Sequence, residues 1–353
     1  EVDLNRDYGF EWEAWGGSAQ PFSQPESAAL SDHAWAHPPA VQLDFHSVER
    51  VVNHLWDHTP LSTYDDALIL AWSEGYARNA GYRVLRGWDW YEVHGSSQDA
   101  LYGLVGTLAW TIETPQPWDD PSSVIRTNVK ATREFLRHVA EGVHGRVQIA
   151  GGGSPAPVRI TVSETGATFF ARPSCGGFHR PLAGGTYHLW LDSPGAVEAV
   201  VAVTAVSSGS VTVPDVTLQP ATAQARWAHR LAWTLSGDPE NVYRNTTRRS
   251  AVLGAPDGET AALGAGGAVV VALDADPAAS GALWVRAEDD EPYQVAIALH
   301  PTDTFTVLGT ASGIAEFALP EAYRGVPLFV RVADIRARNP RDPRAGADVD
   351  AVG

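Results

Sequence analysis

The sequence predicts a multidomain protein in which a truncated α/β unit is followed by two all-β sandwich domains. Three observations predict it. The chain has 353 residues, which exceeds one ordinary compact domain. Helical and strand-like patterns alternate over the first part, and the rest consists of short Val/Thr/Ala-rich runs separated by turn residues. We place the domains at residues 1–143, 144–220 and 226–353, with a Pro/Ala/Gln-rich linker at 219–225.

Ordinary start and stop signals define the elements of the α/β unit. The stretch Ser23-Gln-Pro-Glu26 is typical of a capping box and predicts a helix that runs to about Ala34. Apolar and polar residues alternate in VQLDFHS, which predicts a strand that ends near His46. The remaining elements are expected at residues 64–80 (helix, stopped by Gly81), 104–113 (buried strand) and 124–141 (helix, with Gly142 beyond its end).

Composition excludes several classes of function. A net charge of −17 and a pI near 5.0 argue against nucleic acid or an anionic membrane as partner, because both are bound through basic clusters. The single cysteine, Cys175, cannot form an intramolecular disulfide. No apolar run approaches the roughly 20 residues of a membrane helix. Because the chain opens on Glu1 and contains no Met, we expect it to be part of a longer reading frame.

Five residues of the first unit are candidates for chemistry, and each has a plainer reading. Asn5 and Arg6 could grip a carboxylate, although such an Arg more often pairs with a neighbouring Asp. His46 ends a predicted strand and could bind zinc or simply form a hydrogen bond. Glu113 ends an apolar strand, where burial would raise its pKa toward that of a general base, unless it faces water. Tyr91 follows two Trp residues and could be packing surface.

The order and spacing of four motifs add information that no single residue carries. VDLNRD is followed by SQPE, by the strand-ending pair His46-Ser47, and by a YEVHGSSQD loop that begins at Tyr91 and ends at Asp99. Glu113 follows Asp99 by fourteen residues. In these motifs residues 1 to about 143 resemble the zinc carboxypeptidases of the carboxypeptidase A/B type, as the C-terminal part of a catalytic domain.

The resemblance implies a role for each candidate. His46 would be the last of three protein ligands of Zn²⁺, and Glu113 would be the general base that deprotonates water and passes the proton to the leaving amine. Asn5 and Arg6 would bind the free C-terminal carboxylate of a peptide or protein substrate, and Tyr91 would close over it. The implied activity is hydrolysis of the C-terminal peptide bond.

The sequence also departs from this family. The His-x-x-Glu motif with the other two zinc ligands, and the Arg that polarises the scissile carbonyl, are expected upstream of Glu1. The other histidines of the first unit have no matching Glu spacing, so we interpret them as surface or packing residues. With one ligand of three, the chain alone is expected to be inactive. Gln98, in the position that lines the side-chain pocket, and Val48, where Tyr is frequent, favour broad or mixed specificity.

The two β-rich segments resemble known accessory modules. Residues 144–220 look like the transthyretin-like domain that follows many carboxypeptidases, for which a structural role is expected. Residues 226–353 resemble a jelly-roll-like module of secreted bacterial proteins, with adhesion or substrate targeting as the natural hypothesis. GAGG at 264–267 precedes a predicted strand, so it does not fit a dinucleotide site. Possible Ca²⁺ ligands, weighed against plain solvation, are Asp334, Asp348 and Asp350.

Two other functions remain open from the sequence. One is a catalytically dead carboxypeptidase-like protein that binds peptides or acts in adhesion at the cell surface, and the other is a related amidohydrolase of cell-wall peptides. Retention of all five candidates disfavours the first, and an amidohydrolase does not need the Asn5-Arg6 pair. The appended modules and the acidic composition favour a secreted, periplasmic or cell-surface location. Oligomeric state is not predicted.

Overall fold

Three units follow one another along the chain. The computed structural model describes residues 1–116, 120–151, 158–221, 227–235, 237, 251–254, 260–273, 281–336 and 347–352. We refer to residues 1–139 as the first unit, 142–218 as the second unit and 227–352 as the third unit. The predicted linker lies outside the described residues from residue 222 on.

A four-stranded mixed sheet forms the centre of the first unit. Its strands are β1 (Val41–Ser47), β2 (Val51–His54), β3 (Arg83–Arg86) and β4 (Leu108–Thr114), in the order β1-β4-β2-β3. β1 is parallel to β4, whereas β2 is antiparallel to β4 and parallel to β3. The helices are α1 (Pro25–Ala36), α2 (Asp66–Ala80), α3 (Gly87–Trp90), α4 (Ser97–Ala100) and α5 (Pro121–Val139), with a 3-10 turn at Leu4–Arg6 and a π-helical turn at Leu101–Val105. The expected α/β architecture is therefore confirmed.

Most predicted elements of the first unit are confirmed, and the differences have local causes. The capping box is wrong: Gln24 caps α1 without a side-chain hydrogen bond, because the Ser23 hydroxyl donates to Asp7 Oδ1 instead (2.7 Å). The strand expected over 104–113 begins only at Leu108, because the preceding residues continue a helical turn that Gly106 ends at φ +80°. The helix expected over 124–141 begins at Pro121 and ends at Val139.

The second unit consists of β-strands arranged in two sheets. The strands are β5 (Gly142–Ile149), β6 (Arg159–Val162), β7 (Thr168–Phe170), β8 (Gly177–Arg180), β9 (Gly185–Asp192), β10 (Ala199–Ala205), β11 (Ser210–Thr212) and β12 (Val216–Leu218). One sheet has the order β10-β9-β6-β7, and in the other β5 lies between β11 and β12 and also pairs with β8. Side chains of both sheets form one core, in which Val143, Ile160 and Leu189 are fully buried.

The third unit also has two sheets. Its strands are β13 (Arg230–Leu235), β14 (Ala261–Ala262), β15 (Ala268–Leu273), β16 (Ala282–Ala287), β17 (Tyr293–Ala298), β18 (Thr306–Ala311), β19 (Ile314–Ala318), β20 (Leu328–Asp334) and β21 (Asp348–Val352). A 3-10 turn, Glu321–Tyr323, precedes β20. The sheet orders are β13-β15-β20-β17-β18 and β14-β21-β16-β19. β15 begins directly after Gly267, so the prediction that GAGG precedes a strand is confirmed.

The hydrophobic cores do not follow the order of the units along the chain. Buried residues of the first unit, such as Phe10 and Trp56, belong to the same contiguous cluster as Leu231 and Val271 of the third unit. The core of the second unit is a separate cluster, apart from Phe170 of β7, which belongs to the shared one. Within the part of the chain that the structure describes, every helix is too short or too polar to cross a membrane.

Candidate active site

His46 and Glu113 lie side by side at the ends of two neighbouring parallel strands. The register of β1 and β4 pairs the two residues directly. The distance between His46 Nδ1 and Glu113 Oε1 is 3.8 Å. Parallel strands end at a common edge of the sheet, which is where α/β proteins place their ligands. The fold thus brings the predicted metal ligand and the predicted base together.

The Glu113 carboxyl group is largely shielded from water. Glu113 is 8% exposed, and its Oε2 atom has no hydrogen-bond partner among the described residues. Burial raises the pKa of Glu113; the neighbouring His46 lowers it in part, and Glu49 raises it further. A carboxyl group whose pKa moves toward neutrality is better suited to take up and release a proton.

Asn5 and Arg6 are held by the 3-10 turn near the N-terminus of the chain. Asp3 caps this turn by accepting from the Asn5 backbone N (2.9 Å). The Ser97 backbone N donates to Asn5 Oδ1 (3.0 Å), so the Asn5 NH₂ group is the part that can donate to a ligand. The Arg6 guanidinium lies over the ring of Trp15, 5.2 Å from its centroid. A stacked guanidinium beside an amide is an arrangement suited to a carboxylate.

Tyr91 lies at the mouth of the same region. It follows α3 directly and is 49% exposed, with its ring in edge-to-face contact with Trp90 at a centroid distance of 5.2 Å. A phenol in this position can donate to a ligand from the solvent side.

All five predicted site residues line one cavity. Its volume is about 330 Å³, and its lining includes Asn5, Arg6, His46, Tyr91 and Glu113. These residues come from the N-terminal turn, from two strands and from the segment after α3, so the fold, not the sequence neighbourhood, assembles them. A cavity of this size suits a small ligand or the end of a peptide.

An acidic group that the sequence analysis did not single out forms the floor of the cavity. Asp57 lines the cavity and is 4% exposed. Asn53 Nδ2 and Gln98 Nε2 both donate to Asp57 Oδ1, at 3.2 Å and 2.7 Å. Burial raises the pKa of Asp57, and the nearby Asp99 carboxylate adds to the rise. Asp57 follows a buried strand in a stretch without periodicity, so no local signal distinguishes it from a structural Asp.

Two amide oxygens without partners belong to the residues that donate to Asp57: Asn53, which lines the cavity, and Gln98, which is buried outside the lining. Asn53 Oδ1 and Gln98 Oε1 are buried and accept no hydrogen bond from the described residues. Asn53 Oδ1 and the Asp57 carboxyl group are therefore two acceptors of the cavity lining that a donor-rich group could satisfy. Gly87 makes room for this arrangement, because a Cβ atom at this position would lie 1.7 Å from Asp57 Oδ1.

The last residue of the YEVHGSSQD motif fixes this floor. Asp99 accepts from the backbone N atoms of Asp57 (3.0 Å) and His58 (3.1 Å), and it pairs with His58 Nδ1 at 2.6 Å. The Asp99 backbone N in turn donates to the Ser96 hydroxyl, which caps α4 (3.3 Å). Asp99 therefore holds the segment that carries Asp57.

The donor set at His46 fits part of a zinc site. The imidazole offers Nδ1 toward Glu113, whose Oε2 is a buried acceptor without a partner in the described chain. No group of three or more His, Cys, Asp or Glu residues in the described ranges is placed to hold a metal. His58 Nδ1 contacts Asp99, and His94 Nε2 contacts Glu92, in line with the interpretation of these histidines as packing residues.

The proposed calcium ligands of the third unit have protein partners. Asp334 accepts from the backbone N atoms of Arg336 (2.8 Å) and Ala347 (3.0 Å) and pairs with the Arg336 guanidinium (3.1 Å). Asp350 Oδ2 lies 3.1 Å from Arg286 Nε. The side chain of Asp348 lies outside the described residues. Calcium binding stays a prediction.

Comparison with known proteins gives a family for the first unit. Residues 1–135 match the zinc carboxypeptidase family. Carboxypeptidase D of Rattus norvegicus is 26% identical over 249 residues, and carboxypeptidase SOL1 of Arabidopsis thaliana is 25% identical over 239 residues. These matches cover 62% and 61% of this chain, which spans 18% and 48% of the two relatives.

Solved structures are also similar to part of the chain. The crystal structure of thrombin activatable fibrinolysis inhibitor matches 39% of this chain and 42% of its own, with 17% identity and a TM-score of 0.37. The family match and the motifs coincide in the same part of the sequence. Residues 1–135 are therefore similar to the zinc carboxypeptidase family in both the family model and the motifs.

Proposed function

We propose that this chain is part of a zinc-dependent carboxypeptidase that removes the C-terminal residue of peptides or proteins. One observation carries the proposal: Asn5, Arg6, His46, Tyr91 and Glu113 line a single cavity. The family match of residues 1–135 supports the same activity. The residues divide into a carboxylate-binding group, a proton-transfer group and a metal ligand.

The carboxylate-binding group accounts for the preference for a free C-terminus. The Arg6 guanidinium and the Asn5 NH₂ group would donate to the terminal carboxylate, and the Tyr91 hydroxyl would donate from the solvent side. Charge-assisted bonds from a planar guanidinium are among the stronger hydrogen bonds, and a peptide amide cannot replace the charge. A terminal amide is therefore expected to bind poorly.

Glu113 would move the proton. Its buried carboxyl group takes a proton from the attacking water and returns it to the leaving amine, and its raised pKa suits both directions. His46 would be one zinc ligand, and the two others would come from polypeptide outside these 353 residues. When bound, zinc supplies Lewis acidity, which polarises a carbonyl group and makes water easier to deprotonate.

The cavity floor favours a basic residue at the C-terminus of the substrate. Asp57 would pair with a Lys or Arg side chain, and the unpaired amide oxygen of Asn53 would accept a further N–H group from it, while Gln98 holds Asp57 in place. An apolar side chain would leave these acceptors unpaired, which is costly in a buried site. This narrows the broad or mixed specificity that Gln98 and Val48 lead us to expect from the sequence.

The direct test measures hydrolysis by the polypeptide that carries this chain together with the rest of the zinc site. Hippuryl-arginine should be cleaved, a chelator should abolish cleavage, and Glu113→Gln should lower kcat by about 10²- to 10⁴-fold. Glu74→Gln, an exposed position on α2, is the matched control and should be unaffected. Binding of the peptide by the wild type without cleavage would instead support the catalytically dead alternative.

The isolated 353-residue chain is expected to be inactive. It contributes His46 as one ligand of three, and an incomplete ligand set cannot hold zinc tightly. Chelator-sensitive turnover by this chain alone would contradict the expectation.

The β-rich units complete the proposal. We infer that each is a sandwich, because each has two sheets and buried residues on both of them. A transthyretin-like identity for the second unit, a jelly-roll-like identity for the third, and a secreted, periplasmic or cell-surface location belong to the same proposal.

A further inference from the structure

Strand β13 of the third unit reaches the first unit beside the carboxylate-binding residues. The Thr234 backbone N donates to the Gly9 carbonyl (2.7 Å), and the Trp12 backbone N donates to the Thr234 carbonyl (3.1 Å). Trp12 and Leu235 form a parallel β-bridge. Residues 9–12 thus pair with the third unit in the manner of a short added strand.

The Thr234 side chain adds two more bonds to the same segment. Its hydroxyl oxygen accepts from the Glu11 backbone N (2.8 Å), and its hydroxyl proton is donated to Glu11 Oε1 (3.1 Å). Thr234 is 0% exposed, so water does not compete for these bonds. Glu11 has φ +45°, a conformation that non-glycine residues adopt only when their surroundings hold them there.

His94 forms a further hydrogen bond with Glu11. Its Nδ1 atom donates to the Glu11 carbonyl (2.6 Å), and its Nε2 atom contacts the Glu92 carboxylate (2.9 Å). His94 lies three residues after Tyr91, so this bond connects the Tyr91 segment to residues 9–12. The hydrogen bonds of Thr234 and His94 therefore meet at one residue, Glu11.

Gly95 continues this connection toward Arg6. The Tyr8 backbone N donates to the Gly95 carbonyl (3.1 Å). Gly95 has φ +73°, and a Cβ atom on it would lie 2.7 Å from the Arg6 carbonyl oxygen, so no side chain fits here. Residues 7–24 contain no helix or extended strand, so their position depends on such contacts.

We propose that the third unit helps to shape the substrate site. Thr234 and His94 both bond to Glu11 and thereby position Arg6 and Asn5 relative to Tyr91. The inference rests on the proposed carboxylate-binding role of these residues. Thr234 and His94 are positioning residues, because their contacts described above are with Glu11, its neighbours and Glu92 and not with the cavity.

The test measures binding, so it needs no complete zinc site. Titration calorimetry of the 353-residue chain with hippuryl-arginine and with its C-terminal amide gives the ratio of the two affinities. Thr234→Val keeps the shape and removes the hydroxyl; it should lower the free-acid to amide ratio about three- to tenfold, the effect of one or two lost hydrogen bonds. Thr234→Ser should restore most of the ratio.

A merely structural role would give a different pattern. It would lower the melting temperature of Thr234→Val and leave the affinity ratio unchanged, and that result would overturn the inference. Thr161→Val, which removes a half-buried hydroxyl contact in the second unit, is the control for the same substitution away from the junction and should leave the ratio unchanged. If the wild type itself does not prefer the free acid, the proposed function fails and this inference fails with it.

A second pair of variants keeps the test decisive if Thr234→Val does not fold. Asn can place its NH₂ group where His places Nδ1, whereas Gln reaches the position of Nε2. His94→Asn should therefore keep the hydrogen bond to the Glu11 carbonyl and most of the free-acid to amide ratio. His94→Gln should lose this hydrogen bond, and its free-acid to amide ratio should fall. Equal ratios in the two variants would contradict the positioning role.

Discussion

The second and third units are both built of β-strands, yet they relate to the first unit in different ways. The third unit, which is farther away in sequence, shares one hydrophobic core with the first. The second unit, which follows the first directly, has its own core. Chain order is thus a poor guide to which parts of this protein depend on each other.

The contacts differ in kind as well. The third unit contributes a paired strand, and its Arg230 guanidinium lies 4.9 Å from the ring centroid of Trp35. The second unit is joined through Arg180, whose guanidinium pairs with Asp65 and donates to the Gly106 carbonyl of the first unit. Tyr102 also donates to Asp65 (2.8 Å). The interface with the third unit combines a shared apolar core with strand pairing, whereas the interface with the second unit combines a buried ion pair with a contact between Trp35 and Phe170.

Removal of the third unit should have the largest effect. A chain of residues 1–225 would expose the face on which Leu231 and its neighbours lie buried, and a shared core cannot be halved without losing cooperative folding. We expect loss of the near-ultraviolet circular dichroism and of a cooperative thermal transition, with the 353-residue chain as control. A native-like spectrum for residues 1–225 would show that the cores are independent.

Breaking the ion pair of the second unit should have the next largest effect. Arg180→Met leaves Asp65 charged in a site where the two side chains are 1% and 3% exposed, which should cost about 3–5 kcal/mol. Urea unfolding measures the loss. The double variant Arg180→Met/Asp65→Leu should recover most of it, because no buried charge remains. A double variant as unstable as the single one would argue against this explanation.

Two cavity-forming variants should show that the two cores respond independently. Leu231→Ala in the third unit and Leu189→Ala in the second should each cost about 2–5 kcal/mol, because both side chains are buried. Hydrogen exchange read by mass spectrometry should show faster exchange in the first and third units together for Leu231→Ala. For Leu189→Ala it should rise in the second unit alone. The same exchange pattern in both variants would refute separate cores.

The smallest expected effect is a pH dependence at the junction with the third unit. Burial opposes the charged form of His94, but the hydrogen bond to Glu92, the charge of Glu13 and the bond to the Glu11 carbonyl hold its pKa above the ordinary value. A His with a raised folded pKa contributes stability that is complete below the unfolded pKa of about 6.5. This stability is lost as pH rises through the folded pKa.

Melting temperatures check this dependence. The difference between the wild type and His94→Gln should shrink as pH rises from about 6 to about 9. A difference that stays constant or grows over this range would contradict the assignment.

Much of the site could be predicted because its signals are local. Alternation in VQLDFHS located β1, and the apolar run before Glu113 located β4, so both catalytic candidates were expected at strand ends. The pairing of His46 directly with Glu113 could not be predicted in this way, because it depends on the register between two strands that are far apart in sequence. The order and spacing of the motifs linked these residues to one another and to the zinc carboxypeptidases, which the local patterns could not do.

What could not be predicted depends on distant contacts. The Ser23 hydroxyl bonds Asp7 instead of capping α1, and Asp57 becomes a cavity floor only through Gln98 and Asp99. Sharing of a core between the first and third units has no signature in hydrophobic periodicity, because an apolar strand face does not specify its partner.

The central claim is that one cavity binds the C-terminal residue of a peptide, and a crystal structure of the chain with hippuryl-arginine tests it most directly. We expect the terminal carboxylate on Arg6 and Asn5, the substrate guanidinium at Asp57, and the peptide carbonyl facing His46 and Glu113. A peptide bound outside this cavity, or with its carboxylate away from Arg6, would contradict the account.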